Sequence, residues 1–322
     1  MKPKVLITRR WPADVEARLT EHFDVTFNLE DRPLAPDAMK RAFRQHDAVF
    51  TAVTDRIDAD VLSGDYIRAR LIGNFGVGFN NIDVKAAAAR GIAVTNTPDV
   101  LTDATADLAL ALILAVARRV GEGERHVREK AWTGWRPTHM LGRHVTGATL
   151  GVIGYGRIGQ ATARRAHHGF GMKIKVYSRS SVPADVLAEN AAEQVAAVED
   201  LLPLCDFVSL HCPATAENHH MIDAAMLKRM KSGGILINTG RGGLVNEADL
   251  AAALDAGEIA GAGLDVFDGE PAVPDFLVGR DDVVLLPHLG SATLETRNAM
   301  GFRVMKNAVA FFAGEKPLDR VA

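Results

Sequence analysis

The chain has 322 residues, 48% of them hydrophobic and 24% charged, which excludes a disordered or fibrous protein and exceeds what one ordinary core holds. A formal charge of -3 and a pI near 6.4 give no electrostatic reason to expect a nucleic acid or an anionic membrane as partner. The two cysteines, Cys205 and Cys212, lack the C-x-x-C spacing of redox or zinc sites, so reduced thiols in a cytoplasmic protein, and no metal, are the expectation.

The chain opens "MKPKVLITRRWP", which runs from two lysines into a strand pattern without the apolar stretch of a secretion signal. Four short β-branched runs follow one another: "KVLIT" (4–8), "DAVFT" (47–51), "RLIGN" (70–74) and "GIAVTN" (91–96). Ala-rich helical patterns separate them, the signature of parallel βαβ units with helices on both faces of a sheet. Residues 102–130 are helix-rich; within them "LALALILAVA" (108–117) is bounded by Asp107 and Arg118. At about half the length of a membrane span, it predicts a helix buried on most sides.

A second series of strands comes next: "TLGVIG" (149–154), "KIKVYS" (173–178), "DFVSLH" (206–211), "GGILINT" (233–239), "AGAGLDV" (260–266) and "DVVLLP" (282–287). It carries its own glycine fingerprint and so predicts a separate doubly wound domain. The last element, about 293–314, reads as one long helix with apolar residues at Met300, Val304, Ala308, Phe311 and Phe312.

In "TLGVIGYGRIGQATARRA", Gly154, Gly156 and Gly159 have G-x-G-x-x-G spacing between a strand and an Ala-rich helix. Gly154 makes the tight turn, Gly156 lets backbone approach a pyrophosphate, and Gly159 lets the helix pack close to the strand. A diphosphate then meets free N–H groups at the positive end of the helix dipole. The following strand ends in Ser178-Arg179-Ser180, where an NAD-binding unit carries an acid for the ribose 2'-hydroxyl. A guanidinium and two hydroxyls suit a 2'-phosphate instead, so NADP(H) is the preferred cofactor, with NAD(H) as second choice.

Three later segments, "LINTGRGGLV", "GLDVFDGEP" and "LLPHLGSAT", place Arg241, Glu270 and His288 after strands that end at one edge of a sheet. A 2-keto acid needs a cation for its carboxylate and a polariser for its carbonyl, and the planar guanidinium of Arg241 can serve both. The alkoxide formed by hydride transfer needs a proton, the role of His288. Glu270 supports the imidazolium and orients the ring.

With these residues in place, the chain resembles the D-isomer-specific 2-hydroxyacid dehydrogenases, and within them the glyoxylate and hydroxypyruvate reductases. The resemblance runs through "NFGVGFNNID", "VTNTPDVLTDATADLALALILAVARR", "WTGWRP", "GVIGYGRIGQ", "HCPAT", "INTGRGGLVNEADL", "AGLDVFDGEP" and "LPHLGSAT". It implies two doubly wound α/β domains: a Rossmann cofactor domain, 100–289, inserted in a flavodoxin-like substrate domain, 1–99 plus 290–322, with the active site in a hinged cleft. It implies that backbone N–H groups of Val77 and Gly78, beside Phe75 and Gly76, bind the substrate carboxylate with Arg241 and His288. Cofactor positions are implied at Thr105, at the loop Tyr155, Arg157 and Ile158, at His211, Cys212 and Pro213, and at Thr239, Gly240 and Gly290. Asp265 is implied to hold the nicotinamide carboxamide.

By the same resemblance the chain forms a homodimer in which Trp132 and Trp135 reach the partner subunit. The competing expectation for these tryptophans is packing of a helix end within the chain. The activity implied is NADPH-dependent reduction of glyoxylate to glycolate and hydroxypyruvate to D-glycerate. Competing within the family are a 2-ketogluconate reductase, a phosphoglycerate dehydrogenase and a phosphite-type dehydrogenase; from another class competes a dinucleotide-sensing, corepressor-like binding protein.

Overall fold

The computed structural model describes residues 1–322 and divides into two compact units, Met1–Leu101 with Ala292–Ala322, and Thr102–Ser291. The first holds five parallel strands, β1 (Lys4–Ile7), β2 (Asp24–Phe27), β3 (Ala48–Ala52), β4 (Leu71–Phe75) and β5 (Ala93–Thr95), in the order β2-β1-β3-β4-β5. This is the flavodoxin-like order of a doubly wound sheet. β4 is buried along its whole length, as a strand covered on both faces must be. The long C-terminal helix, Leu294–Phe312, lies on it through Val304 against Gly73, and Gly301 packs on Val15 of the helix Ala13–His22.

The second unit holds β6 (Thr149–Ile153), β7 (Lys173–Tyr177), β8 (Ala192–Gln194), β9 (Phe207–Leu210), β10 (Ile235–Asn238), β11 (Gly261–Leu264) and β12 (Val283–Leu285). All pairings are parallel and the order is β12-β11-β10-β9-β6-β7-β8. Counted from β6, this is the Rossmann order 3-2-1-4-5-6 with a seventh strand added beyond the sixth. The order reverses between β6 and β9, and the crevice that such a reversal opens at the carboxyl ends of the strands is where ligands of open α/β sheets bind.

The apolar stretch within 108–117 lies in the helix Thr102–Ala117, whose Ala109, Leu110, Leu112, Ile113, Val116 and Ala117 are buried. No helix of the chain is long and apolar enough to cross a membrane. Two strands escape the sequence pattern, β2 and β8, and both are at sheet edges. Their sequences, DVTF and AEQ, bury no residue fully, so they lack the apolar run that marks the inner strands.

Candidate active site

The glycine loop joins β6 to the helix Arg157–Phe170. Gly154 has φ +95, and a Cβ there would lie 2.5 Å from the Cys212 amide nitrogen, so only glycine fits both the turn and the crossing with the β9 loop. A Cβ on Gly159 would strike the Gly154 carbonyl oxygen. Gly156, by contrast, faces open space, and no side chain caps the helix whose N-cap it forms. No neighbouring atom in the protein requires a glycine at that position, and a close-lying anionic ligand at the helix N-terminus accounts for it. The Tyr155 side chain turns inward; its hydroxyl accepts a hydrogen bond from Asn190 Nδ2 at 3.0 Å, and its carbonyl accepts from Gln160 Nε2 at 3.0 Å. Arg157 and Ile158 open the helix.

After β7, Ser178 is half-buried while Arg179 and Ser180 are exposed. Gln194 of β8 shapes this loop, its Nε2 donating to the carbonyls of Ser178 at 3.3 Å and Ser180 at 3.0 Å and its Oε1 accepting from Val182 N–H at 2.9 Å. The nearby Glu217 carboxyl is held below its usual range chiefly by the Thr215 hydroxyl, with the Arg179 charge contributing.

After β9, His211 Nε2 meets Ser209 Oγ at 2.9 Å while Nδ1 is buried without a partner. Burial pushes this imidazole down to about 4, so it is neutral near pH 7. Burial likewise pushes the Cys212 thiol up to about 11, which leaves it unreactive. The Pro213 carbonyl accepts from Asn218 Nδ2 at 2.8 Å. After β10, the Thr239 hydroxyl is also buried without a partner. Two orphaned polar atoms, a cradle at Gly156 and an uncapped helix together fit a bound dinucleotide.

Gly240 and Arg241 follow Thr239. Asn238 clamps this turn: its Oδ1 accepts from Gly240 N–H at 3.0 Å and its Nδ2 donates to the Arg241 carbonyl at 2.9 Å. Gly242 packs directly on the Phe267 backbone, where any Cβ would collide, and this seats Arg241 against the segment that bears Glu270. Burial pulls the guanidinium down, and the Glu270 charge opposes that pull.

Glu270 accepts from Phe267 N–H at 3.0 Å through Oε1 and from His288 Nδ1 at 2.8 Å through Oε2. Desolvation alone would raise its carboxyl; the hydrogen bond and charge of His288, the Phe267 amide and the Arg241 charge hold it below the usual range. A carboxylate in this position holds a proton on His288 Nδ1 and leaves Nε2 outside the pair.

Asp265, buried at the end of β11, organises the loop carrying His288. Its carbonyl accepts from His288 N–H at 2.9 Å, and its carboxylate accepts from Leu289 N–H at 2.6 Å and Gly290 N–H at 2.8 Å. Burial nonetheless pushes this carboxyl up. His288 has φ 56, a left-handed conformation that these bonds sustain. Thr105, buried, donates to the Gly290 carbonyl at 3.0 Å and ties the loop to the helix Thr102–Ala117.

In the first unit, Phe75 ends β4 and Gly76, Val77 and Gly78 follow. Here the structure adds two residues that sequence reasoning missed. Asn74 Nδ2 donates to the carbonyls of Gly76 at 3.2 Å and Gly78 at 2.9 Å, and Asn96 Nδ2 donates to that of Val77 at 2.8 Å. The Gly76 and Val77 carbonyls share their peptide planes with the Val77 and Gly78 N–H groups, so these bonds fix the orientation of both, and the bond to the Gly78 carbonyl fixes the plane that follows. Trp132 and Trp135 are exposed, at 55% and 81%, so packing within the chain does not account for them.

Residues 110–290 match the family model for the D-isomer specific 2-hydroxyacid dehydrogenase, NAD binding domain. The glyoxylate reductase of Thermococcus litoralis is 47% identical over 325 residues, covering 100% of this chain and 97% of the relative. That of Korarchaeum cryptofilum is 46% identical, covering 100% and 96%. Among solved structures, a D-isomer specific 2-hydroxyacid dehydrogenase from a Polaromonas species superposes with a TM-score of 0.94 at 35% identity, covering 100% of both chains. The NADPH-dependent glyoxylate/hydroxypyruvate reductase of Sinorhizobium meliloti, in complex with NADP and malonate, gives 0.88 at 35% identity, covering 100% of this chain and 97% of that one.

Proposed function

The chain belongs to the D-isomer-specific 2-hydroxyacid dehydrogenases, an oxidoreductase family, and from that premise we propose that it reduces small 2-keto acids with NADPH, taking glyoxylate to glycolate and hydroxypyruvate to D-glycerate. The observation that carries this reading is the His288–Glu270 pair at 2.8 Å beside the clamped Arg241, a proton donor and a carboxylate-binding cation held by one short segment. Glyoxylate reductases at 46–47% identity over the whole chain supply the substrate class.

In this reading the N–H groups of Val77 and Gly78 bind the substrate carboxylate and Arg241 spans carboxylate and carbonyl. The bound dinucleotide supplies hydride to the carbonyl carbon. Protonated His288 gives its Nε2 proton to the developing alkoxide, and Glu270 stabilises the imidazolium beforehand. Asp265 and Thr105 hold the loop that carries His288, and the carboxamide of the cofactor is the further partner assigned to Asp265.

Arg179, with Ser178 and Ser180, binds the 2'-phosphate; a relative solved with NADP at 35% identity supports that preference. NADH is second choice. The two cysteines are unpaired, as suits a reducing compartment such as the cytoplasm. The helix Val120–Arg128 buries none of its residues, and Val127, Trp132, Trp135 and Leu141 are exposed, so this arm packs on a second copy in a homodimer. A fully active monomer by light scattering would remove the dimer assignment.

One kinetic panel tests the function: glyoxylate, hydroxypyruvate, 2-ketogluconate and 3-phosphohydroxypyruvate, each with NADPH and NADH. The highest kcat/KM should fall on glyoxylate or hydroxypyruvate with NADPH. Preference for 2-ketogluconate or the phosphorylated acid would reassign the substrate, and no turnover with any would overturn the enzymatic reading.

A further inference from the structure

A second cluster of metal-ligating side chains stands in the unit Thr102–Ser291 and is used by none of the roles above. His219, His220 and Asp268 bring one ligand atom each within 4.8 Å of one another. His220 Nε2 is 3.0 Å and His219 Nε2 3.6 Å from the same oxygen, Asp268 Oδ2. Donors about 2.0 to 2.2 Å from a tetrahedral ion are separated by roughly 3.4 Å, and the two distances to Asp268 Oδ2, 3.0 and 3.6 Å, bracket that spacing. The two rings are 3.8 Å apart and inclined by 32°.

The backbone is shaped for this convergence. Neighbouring residues of an extended chain point to opposite sides, but His220 has φ 54. That left-handed turn costs about 1 to 2 kcal/mol in a residue with a Cβ, and it brings both imidazoles to one carboxylate oxygen. His220 N–H is anchored on the Gly243 carbonyl at 2.7 Å. Asp268 is fixed from behind: its N–H donates to Glu247 Oε1 at 2.9 Å, and a Cβ on Gly243 would come within 2.9 Å of Asp268 Oδ1.

We propose that His219, His220 and Asp268 form a binding site for a single divalent transition-metal ion, with the two Nε2 atoms and Asp268 Oδ2 as ligands and water in the fourth position. Two imidazoles and one carboxylate are the donor set of Zn2+, and Ca2+ and Mg2+, which take oxygen ligands, are not expected to compete. Asp268 lies two residues before Glu270, and Gly242 packs on the Phe267 backbone, so the ion would brace the segment from which Glu270 is presented.

The test is calorimetric titration of the chelator-stripped, full-length protein with ZnCl2. Saturation at one ion per chain is expected, with a rise of several degrees in Tm at saturating Zn2+, and with visible d–d bands of a tetrahedral site when Co2+ replaces Zn2+. His219→Ala and Asp268→Asn should each weaken binding tenfold or more, while His22→Ala, remote in sequence and outside the cluster, should bind as the parent does. Thermal melts in chelator check that the variants fold; His219→Ala, at a partly exposed side chain, decides the matter alone should Asp268→Asn unfold. Uptake that never saturates, or that His219→Ala leaves unaltered, would overturn the site.

Discussion

The two units present their candidate substrate groups by different physics. In the second, Arg241, Glu270 and His288 are charged or chargeable side chains; His288 and Glu270 share a charge-assisted hydrogen bond, and Glu270 is held below its usual range by that bond together with the Phe267 amide and the Arg241 charge. In the first, the Val77 and Gly78 N–H groups belong to the backbone, and neutral asparagine amides orient them through the carbonyls. In the proposed reaction one arrangement moves protons and depends on ionisation, and the other grips an anion with groups that do not titrate. The contrast separates chemistry from positioning, and substitutions on each side should break different kinetic constants.

The largest effects belong to the charged side. His288→Ala removes the proton donor and should lower kcat about 10²- to 10⁴-fold, while fluorescence titration still shows NADPH binding. Unchanged turnover would withdraw the general-acid role. Arg241→Lys keeps the charge and loses the planar fork, so a fall of roughly 10²- to 10³-fold in kcat/KM for glyoxylate is expected. Near-normal kinetics in that variant would mean that a point charge is enough.

An intermediate effect is expected at Ser178–Ser180, the candidate site for the ribose of the cofactor. Arg179→Ala should lower the ratio of kcat/KM for NADPH over NADH by about 10- to 100-fold, the worth of a charge-assisted contact. If Michaelis constants for both cofactors stay as they were, Arg179 is a solvated loop residue, and the 2'-phosphate is held elsewhere.

What could be read from the sequence follows the same division. Inner strands announce themselves because both faces are buried, as in LIGNF of β4, whereas the edge strands DVTF and AEQ carry no such run. Gly154 and Gly159 are legible since their spacing reflects a turn and a close packing that need glycine, while Gly156 makes sense only with a ligand. Arg241, Glu270 and His288 stand out by residue type as candidates, because few side chains can do the proposed chemistry. Asn74 and Asn96 do not, since asparagine serves many turns and theirs acts through the carbonyls of a loop. The inward turn of Tyr155 toward Asn190 was equally hidden, as was the meeting of His220 with Asp268, 48 residues apart.

The smallest predicted effect sharpens the contrast most. Asn74→Ala strips hydrogen bonds from two carbonyls, those of Gly76 and Gly78; the Gly76 carbonyl keeps Thr97 N–H at 3.0 Å, and the Gly78 carbonyl loses a bond of 2.9 Å. Asn96→Ala strips one, from Val77. At about 1 kcal/mol for a net hydrogen bond, KM for glyoxylate should rise roughly fivefold in Asn96→Ala, which frees the peptide plane carrying the Gly78 N–H, and less in Asn74→Ala, where Thr97 N–H still holds the plane carrying the Val77 N–H. Because neither residue has a part in the proposed proton transfer or in cofactor binding, kcat and the affinity for NADPH should hold, and the rise in KM should be the same at pH 6 and pH 8. A fall in kcat with KM unmoved would place the asparagines on the chemical side of the comparison, and a joint loss of NADPH affinity would show that the substitution had damaged the fold instead.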